Sequence, residues 1–531
     1  MRFEKLEIDP KKNPAVLDTT TWELASTWHS ISGMDDSFFM SVSKAIREGR
    51  SLPLDRRCIV YTGSCAEYRE KIYGLVELLD GQHVFIEIGS GGADNPLSEP
   101  IGIRSLSNDT QLAAYRADAA TIDRYVSLIR GDKSPKALGA IPRLGIGSRM
   151  TTAAWPGVWR ALNRSNIQSN PIQNSVREIN LLEDVLAGRA ARLNYMANFG
   201  RVEEGHTGST FQGLWVAGIL EALKADSIPP YGADADHITI RRGDNDIAHA
   251  KRVIEAARLY TFLTLDVSSL LDYEACLADK YRSALEVVEQ LANHISSLKK
   301  GIPFDLELSI DETPSGVDAF SCLTSETELE FLIRELQKRQ IPVTHIAPNF
   351  GVEKEFDYRG PDGLKGLEKR IRGLCQCAGE YGVLLDCHSG DDLKSETRKA
   401  IGHAAMGNIH FKISPALQII FAEVLNEYDP EKFRFWWDDT LDYARREAAA
   451  GSDFAADCLR QYDINSDKTP SPNHAIFHYY GFATVGRRDD KGQFIHRQKF
   501  YELPEDFYKL YQDRVALYLG DVASDVFGNA S

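Results

Sequence analysis

The chain has 531 residues, 43% of them hydrophobic and 26% charged, so it can bury a sizeable core and is not a disordered polymer. Its 61 Lys and Arg stand against 77 Asp and Glu, and the formal charge of -16 argues against a protein that coats nucleic acid, which needs a basic face. The same charge does not exclude a small anionic substrate, since two or three local cations suffice for one carboxylate.

In chain order, the opening MRFEKLEIDPKKNP has no apolar segment of the kind a secretory signal carries. No later stretch approaches the ~20 apolar residues of a membrane span. Eight cysteines without a CxxC pair or zinc-ribbon spacing predict reduced thiols. The expected setting is therefore cytoplasmic, with no membrane and no nucleic-acid partner. Residues 1–135 read as an N-terminal α/β extension, with apolar runs at 58–61 and 83–88 and a helical pattern over 66–79. The GSGG at 89–92 lacks the Walker lysine and the GxGxxG spacing, so it reads as a turn.

From residue 140 the punctuation becomes regular. Eight short β-like runs follow: IPRLGIG (141–147), NPIQNS (170–175), YGADADH (231–237) and YTFLTLD (260–266), then FDLELSI (304–310), VTHIAPNF (343–350), GVLLDCHS (382–389) and NIHFKIS (408–414). Amphipathic stretches separate them; in 246–258, Ile247, Ala250, Val253, Ile254 and Ala257 form one apolar stripe at helical spacing. Ser414-Pro415 supplies a cap and a first-turn proline for a helix over 415–427. Near-continuous apolar runs alternating with helices predict an α/β fold, a (β/α)8 TIM-type barrel over 140–430, with a doubly wound open sheet as the alternative. Residues 431–531 read as a helical C-terminal extension packed on the barrel, with a polar surface loop at 465–473.

In such a barrel, polar residues at the C-terminal strand ends carry the chemistry. Strand three ends in Asp234, Asp236 and His237, and strand five carries Glu307 and runs into Asp311 and Glu312. Strand seven ends in Asp386 and His388, followed by Asp391 and Asp392, and strand eight carries His410 and Lys412. Three histidines from three strand ends predict a divalent metal site at His237, His388 and His410, which imidazole chemistry leaves open to Zn, Mn, Fe, Co or Ni. His345 competes for a ligand role, and His474 and His478 are candidates to cover the site from the C-terminal extension. Glu307 lies inside an apolar run, where burial favours a place beside a metal or a cation. Asp236 adjoins a proposed ligand and either orients it or carries a proton itself. Arg177, Lys354, Arg359 and Lys412 are the candidate rim cations for an anionic substrate.

The blocks QNSVREIN (173–180), YGADADHI (231–238), LELSIDET (306–313), LLDCHSGDD (384–392) and IHFK (409–412) resemble those of the tagaturonate/fructuronate epimerase family, in the family's order. That resemblance implies a metal-dependent isomerase of carbohydrate metabolism, interconverting D-tagaturonate and D-fructuronate or the neutral ketohexoses tagatose and fructose. It implies His237, His388 and His410 as metal ligands and Asp236 and Glu307 as the proton-handling catalytic acids. Candidate substrate contacts are Ser175, Arg177 and Glu178 in the first block, with Asp266 and Lys412. The expected partner is a small-molecule ketohexuronate or ketohexose, with a homo-oligomer as the candidate assembly. A class II-like metal aldolase, a ketose isomerase and a non-catalytic sugar-binding barrel are the alternative functions.

Overall fold

The computed structural model describes residues 2–3, 6–7, 24–91, 95–107, 109–149, 151–187, 189, 193–196, 200–203, 205, 209–241, 244–314, 317–353, 356–464, 468–487, 489, 495–496 and 498–528. Each of the eight runs forms a strand: β1 Arg143–Gly147, β2 Ser169–Ser175, β3 Tyr231–Thr239 and β4 Phe262–Asp266, then β5 Asp305–Ser309, β6 His345–Ala347, β7 Leu384–Cys387 and β8 His410–Ile413. They pair in parallel with their chain neighbours, and β8 returns to pair with β1, setting Lys412 opposite Gly145. The sheet is thus a closed barrel and not an open doubly wound sheet. A helix follows each strand, from Trp155–Ser165 after β1 to Pro415–Tyr428 after β8.

Strand alternation explains both faces of this barrel. Leu144, Ile172, Leu263, Leu265, Leu306, Leu308, Leu385 and Phe411 point outward and bury under the helices. Their neighbours Arg143, Asp234, Asp305, Glu307, Asp386, His410 and Lys412 meet across the lumen: Arg143 of β1 pairs with Asp305 of β5, and Lys412 of β8 with Asp234 of β3 and Glu307 of β5. The lumen is filled by charge where branched apolar layers are the usual filling.

Before the barrel, antiparallel strands between residues 58 and 116 form one sheet. Helices Leu24–Ser32 and Asp36–Arg47 cover one face through Ile31, Phe39 and Val42, packed on Val76, Ile86 and Leu112. The other face, with Leu75, Phe85 and Tyr115, joins the barrel's own core. The helical pattern over 66–79 is corrected here: Ala66–Tyr68 and Lys71–Leu78 are paired strands, turned by Arg69 and Glu70 with φ of 50° and 63°. Both faces of the second strand are buried, so its apolar residues run together without alternation and mimic a helix stripe. Gly89 and Ser90 lie in the paired strand His83–Ser90, and Gly92 lies outside the described residues.

After the barrel, helices Pro430–Ala449, Asp453–Ile464 and Ala475–Tyr480 pack around Trp436 and Phe477. The long helix Glu505–Phe527 lies across the outside of the β8–β1 seam. It reaches the first barrel helix, where Gly157 leaves room for the carbonyl of Gln512, and the seventh, where Gly402 does the same for Val526. Arg398 pairs with Asp525 at 2.8 Å, and the Tyr511 hydroxyl donates to the carbonyl of Leu417. No described helix is long and apolar enough to cross a membrane, and all eight cysteines are free.

Candidate active site at the barrel mouth

Two backbone irregularities aim the side chains of the mouth. In a regular strand Asp236 and His237 would face opposite ways. The β3–β4 register shifts between Ala235 and Ile238, and His237 adopts a left-handed backbone with φ of 55°. This bulge brings both side chains onto one cavity wall. A left-handed non-glycine residue costs about 1–3 kcal/mol and gathers at working sites. After β7, Ser389 at φ of 58° turns the chain into Gly390–Asp392 and leaves His388 facing His237, ring centroids 4.5 Å apart.

The cavity above these rings opens to solvent. Ser175, Arg177, Glu178, Asp236, His237, His388 and Lys412 line it from the barrel side. His478, Tyr479 and Phe482 line it from the C-terminal helices, and His478 pairs with Asp392 at 3.1 Å. His474 does not reach the site; its ring accepts the amide of Ile476 and packs on Trp437. Arg177 lies 3.4 Å from Glu312, with its Nε donating to Ser175, and Arg149 donates to Glu178. Arg359 lines a neighbouring cavity, held by Glu353 at 2.6 Å, while Lys354 lies outside the described residues.

Below the mouth the groups separate into two levels. Asp236, His237 and His388 present ligand atoms within 4.8 Å of one another, whereas His410 groups with Glu307 and Asp386. The barrel therefore does not bring the three expected histidine ligands into one set. His410 sits in β8 opposite Asp386, with its Nδ1 2.8 Å from that carboxylate, deeper than the strand-end His388. His345 lies at the same depth, fully buried, its Nδ1 against the Thr344 hydroxyl and its ring against Phe262 and His410.

Glu307 has the buried place beside a cation that its apolar run predicts, while Asp266 and Lys412 are placed differently from their sequence reading. Glu307 is fully buried and does not line the cavity; its Oε1 is 2.8 Å from His388 Nε2. Asp266 sits behind His237, accepting from Thr239 and from the amide of Ser268, with its Oδ2 3.8 Å from His237 Nδ1. Lys412 is no rim cation. Its ammonium is buried among Asp236 at 2.8 Å, Asp234 and Glu307 at 3.2 Å and Asp386 at 3.4 Å, and it donates to Thr264 at 3.0 Å.

These contacts set the charges. Burial alone would push Asp236 up, but Lys412, His237 and His388 outweigh it and hold the carboxyl below the usual range. Burial raises Asp234 to about 7, against the pull of Lys412. Burial and the neighbouring Asp386 raise Glu307 well above its ordinary value. For His388, Asp311 and Glu307 overcome burial and favour the imidazolium, whereas burial takes His410 down to about 4. The mouth therefore sets an ionised Asp236 beside a His388 ring that holds its proton unless a cation displaces it.

Asp236, His237 and His388 fit a divalent cation. One carboxylate oxygen and two imidazole nitrogens within ligand reach, with an open side toward a cavity, are the donor set of many such sites. His237 sets Nε2 4.0 Å from Asp236 and its buried Nδ1, which has no hydrogen-bond partner, 3.8 Å from Asp266, and it also groups with Asp266 and Glu312 within ligand reach. Glu307 faces one ring nitrogen of His388 and Asp311 the other, so a nitrogen turned to an ion would leave its partner nitrogen on a carboxylate, as ligating imidazoles commonly have. Asp234 and Asp386, counted among the strand-end acids without a role, stand two residues before Asp236 and His388, and strand period two turns both inward.

Gly145 clears the path of Lys412 across the lumen. A Cβ there would stand 2.7 Å from Lys412 Cγ and 2.5 Å from Gln173 Oε1. Gly145→Ala is expected to lower stability by about 1–3 kcal/mol and displace the ammonium. A denaturation midpoint equal to the parent's would disprove that packing argument.

A parallel eight-stranded barrel with acids and imidazoles at its C-terminal mouth defines the class: a (β/α)8 barrel with a catalytic-type cavity. The model of the UxaE tagaturonate epimerase family matches residues 273–516, so the likeness read from the sequence blocks is shown there. Three of the five blocks lie in that range, and those at 173–180 and 231–238 precede it. Among solved structures, the one-glycerol complex of fructuronate-tagaturonate epimerase UxaE from Cohnella laeviribosi is 18% identical, with 92% of this chain and 99% of that chain covered at a TM-score of 0.64. The native form of the same protein gives 18% identity, the same coverage and a TM-score of 0.62. This likeness extends the shared fold over both flanking parts of the chain. No curated protein sequence matches.

Proposed function

We propose that this chain is a divalent-metal-dependent epimerase that inverts the carbon bearing the hydroxyl β to the ketone of a ketohexuronate or a ketohexose. The observation that carries the reading is the meeting of Asp236, His237 and His388 on one cavity wall, in a chain whose second half matches a tagaturonate epimerase family. When bound, the ion polarises the substrate carbonyl and favours negative charge on its oxygen.

The chain's own groups do the rest. Asp236, held ionised by Lys412, would give one oxygen to the ion and accept the proton of the β-hydroxyl on the other. The C–C bond between the hydroxyl-bearing carbon and the carbon next to the ketone then breaks; its electron pair forms an enediolate and the other fragment becomes an aldehyde. Rotation of the aldehyde and re-addition, with return of the proton from Asp236, give the epimer. A two-acid route through Glu307 needs that carboxyl to face the substrate, and Glu307 lies beneath His388 and away from the cavity. Its position suits a different task, holding the His388 ring in place. That placement favours the one-base route over direct proton exchange between Asp236 and Glu307.

The test is turnover of tagaturonate and of tagatose side by side, before and after chelation, with product analysed in D2O. Expected are loss of turnover with EDTA, recovery with added metal, and no deuterium at the inverted carbon. Undiminished turnover in chelated, metal-free protein would overturn the reading, and deuterium at that carbon would replace the cleavage route. Asp236→Asn is expected to lower kcat by about 10²–10⁴-fold. A decrease smaller than about tenfold would remove Asp236 from the chemistry.

A further inference from the structure

The lower level of the barrel has the composition of a second cation site. Glu307, Asp386 and His410 present two carboxylate oxygens and an imidazole nitrogen within 4.8 Å of one another, and all three are fully buried. Asp234 adds another carboxylate from β3. Carboxylates packed this closely repel one another and bind a divalent ion readily unless some other positive charge is fixed among them.

The Lys412 ammonium is that charge. It crosses from β8 through the space that Gly145 leaves and lies 3.2 Å from Asp234, 3.2 Å from Glu307 and 3.4 Å from Asp386. Its fourth carboxylate contact, at 2.8 Å, is Asp236 of the mouth group, so one side chain touches both levels. We infer that Lys412 is the resident cation of the lower level, standing where a second divalent ion would otherwise bind and confining metal to the mouth. A tethered ammonium fixes a single positive charge there whatever metals the solution holds, and it has no ligand geometry to satisfy. It is a positioning residue: it holds the carboxylates of the lower level and keeps Asp236 turned to the cavity.

The inference shares with the proposed function only the assumption of a mouth ion, and the experiment separates the two. The chain and its Lys412→Met variant are stripped, equilibrated with Co²⁺ and freed of excess, and bound metal is counted by elemental analysis and by visible absorption. Because that variant gathers uncompensated carboxylates and is prone to misfold, the charge-balanced double variant Lys412→Met/Asp234→Asn is measured beside it; it retains Glu307, Asp386 and His410.

Expected are about one equivalent in the parent and about one more in the folded variants, with a second set of absorption bands and a melting temperature that Co²⁺ raises more than in the parent. The added equivalent should vanish when His410→Ala is introduced and persist with His237→Ala. An unchanged count in both Lys412 variants would overturn the inference. No metal in the parent, with an equivalent gained in the variants and lost with His410→Ala, would support the inference while overturning the mouth site.

Discussion

His237→Ala is expected to empty the mouth of its ion and abolish turnover while leaving the barrel folded. His237 supplies one of two imidazoles in the mouth group, and with it gone only Asp236 and His388 remain of that set. Its ring makes no hydrogen bond through Nδ1 and lies 3.8 Å from Asp266 and 4.0 Å from Asp236, so truncation breaks no close pair of the fold. The left-handed backbone at 237 suits alanine no better than histidine, so the strain is carried over unchanged. Bound metal is expected to fall below about a tenth of the parent's and kcat by more than about 10³-fold, with far-ultraviolet circular dichroism preserved. A variant that keeps its metal and a large part of its activity would refute the assignment.

Asp305→Ala should have the largest effect on stability. The carboxylate of Asp305 takes Arg143 Nη1 at 2.9 Å and the amides of Leu138 and Gly139 at 2.9 Å and 3.0 Å, at the end of the lumen away from the mouth. Both side chains of the pair are buried, at 0% and 2% exposure. Alanine would leave a guanidinium without its counter-charge and two amides without an acceptor, a loss of about 3–5 kcal/mol. The guanidinium also lies over the Phe262 ring, which packs against His345 and His410, so the disturbance reaches the lower polar level. Chemical denaturation checks the figure, and a loss below about 1 kcal/mol would show that the pair contributes little.

The strands of the barrel were legible because a parallel strand under helices is a short apolar run between turn signals, and all eight runs carry one. Closure was not legible, since the pairing of β8 with β1 has no local signature. The misread segment over 66–79 shows the limit of periodicity: a strand buried on both faces loses the alternation that would identify it. At the site, strand-end acids and histidines stand out by composition, but their depth depends on register. His388 and His410 look equivalent in sequence, yet one follows its strand and the other begins its strand, which puts them on different levels. The bulge at His237 left no mark in the sequence, although it is what lets two adjacent residues share one wall. Lys412 read as a surface cation because lysine is seldom buried, and only the carboxylates from three other strands explain its place.

The helix Glu505–Phe527 carries a consequence for how the molecule is made. It grips the first and the seventh barrel helices together across the β8–β1 seam. During synthesis the first βα unit emerges well before β8 and this helix, so the free edge of β1 stays unpaired until β8 arrives and uncovered until the helix follows. Chains stopped before this helix would keep the β8–β1 strand pairing but leave the seam uncovered, and are expected to be cut by protease at the first and seventh barrel helices sooner than the full chain.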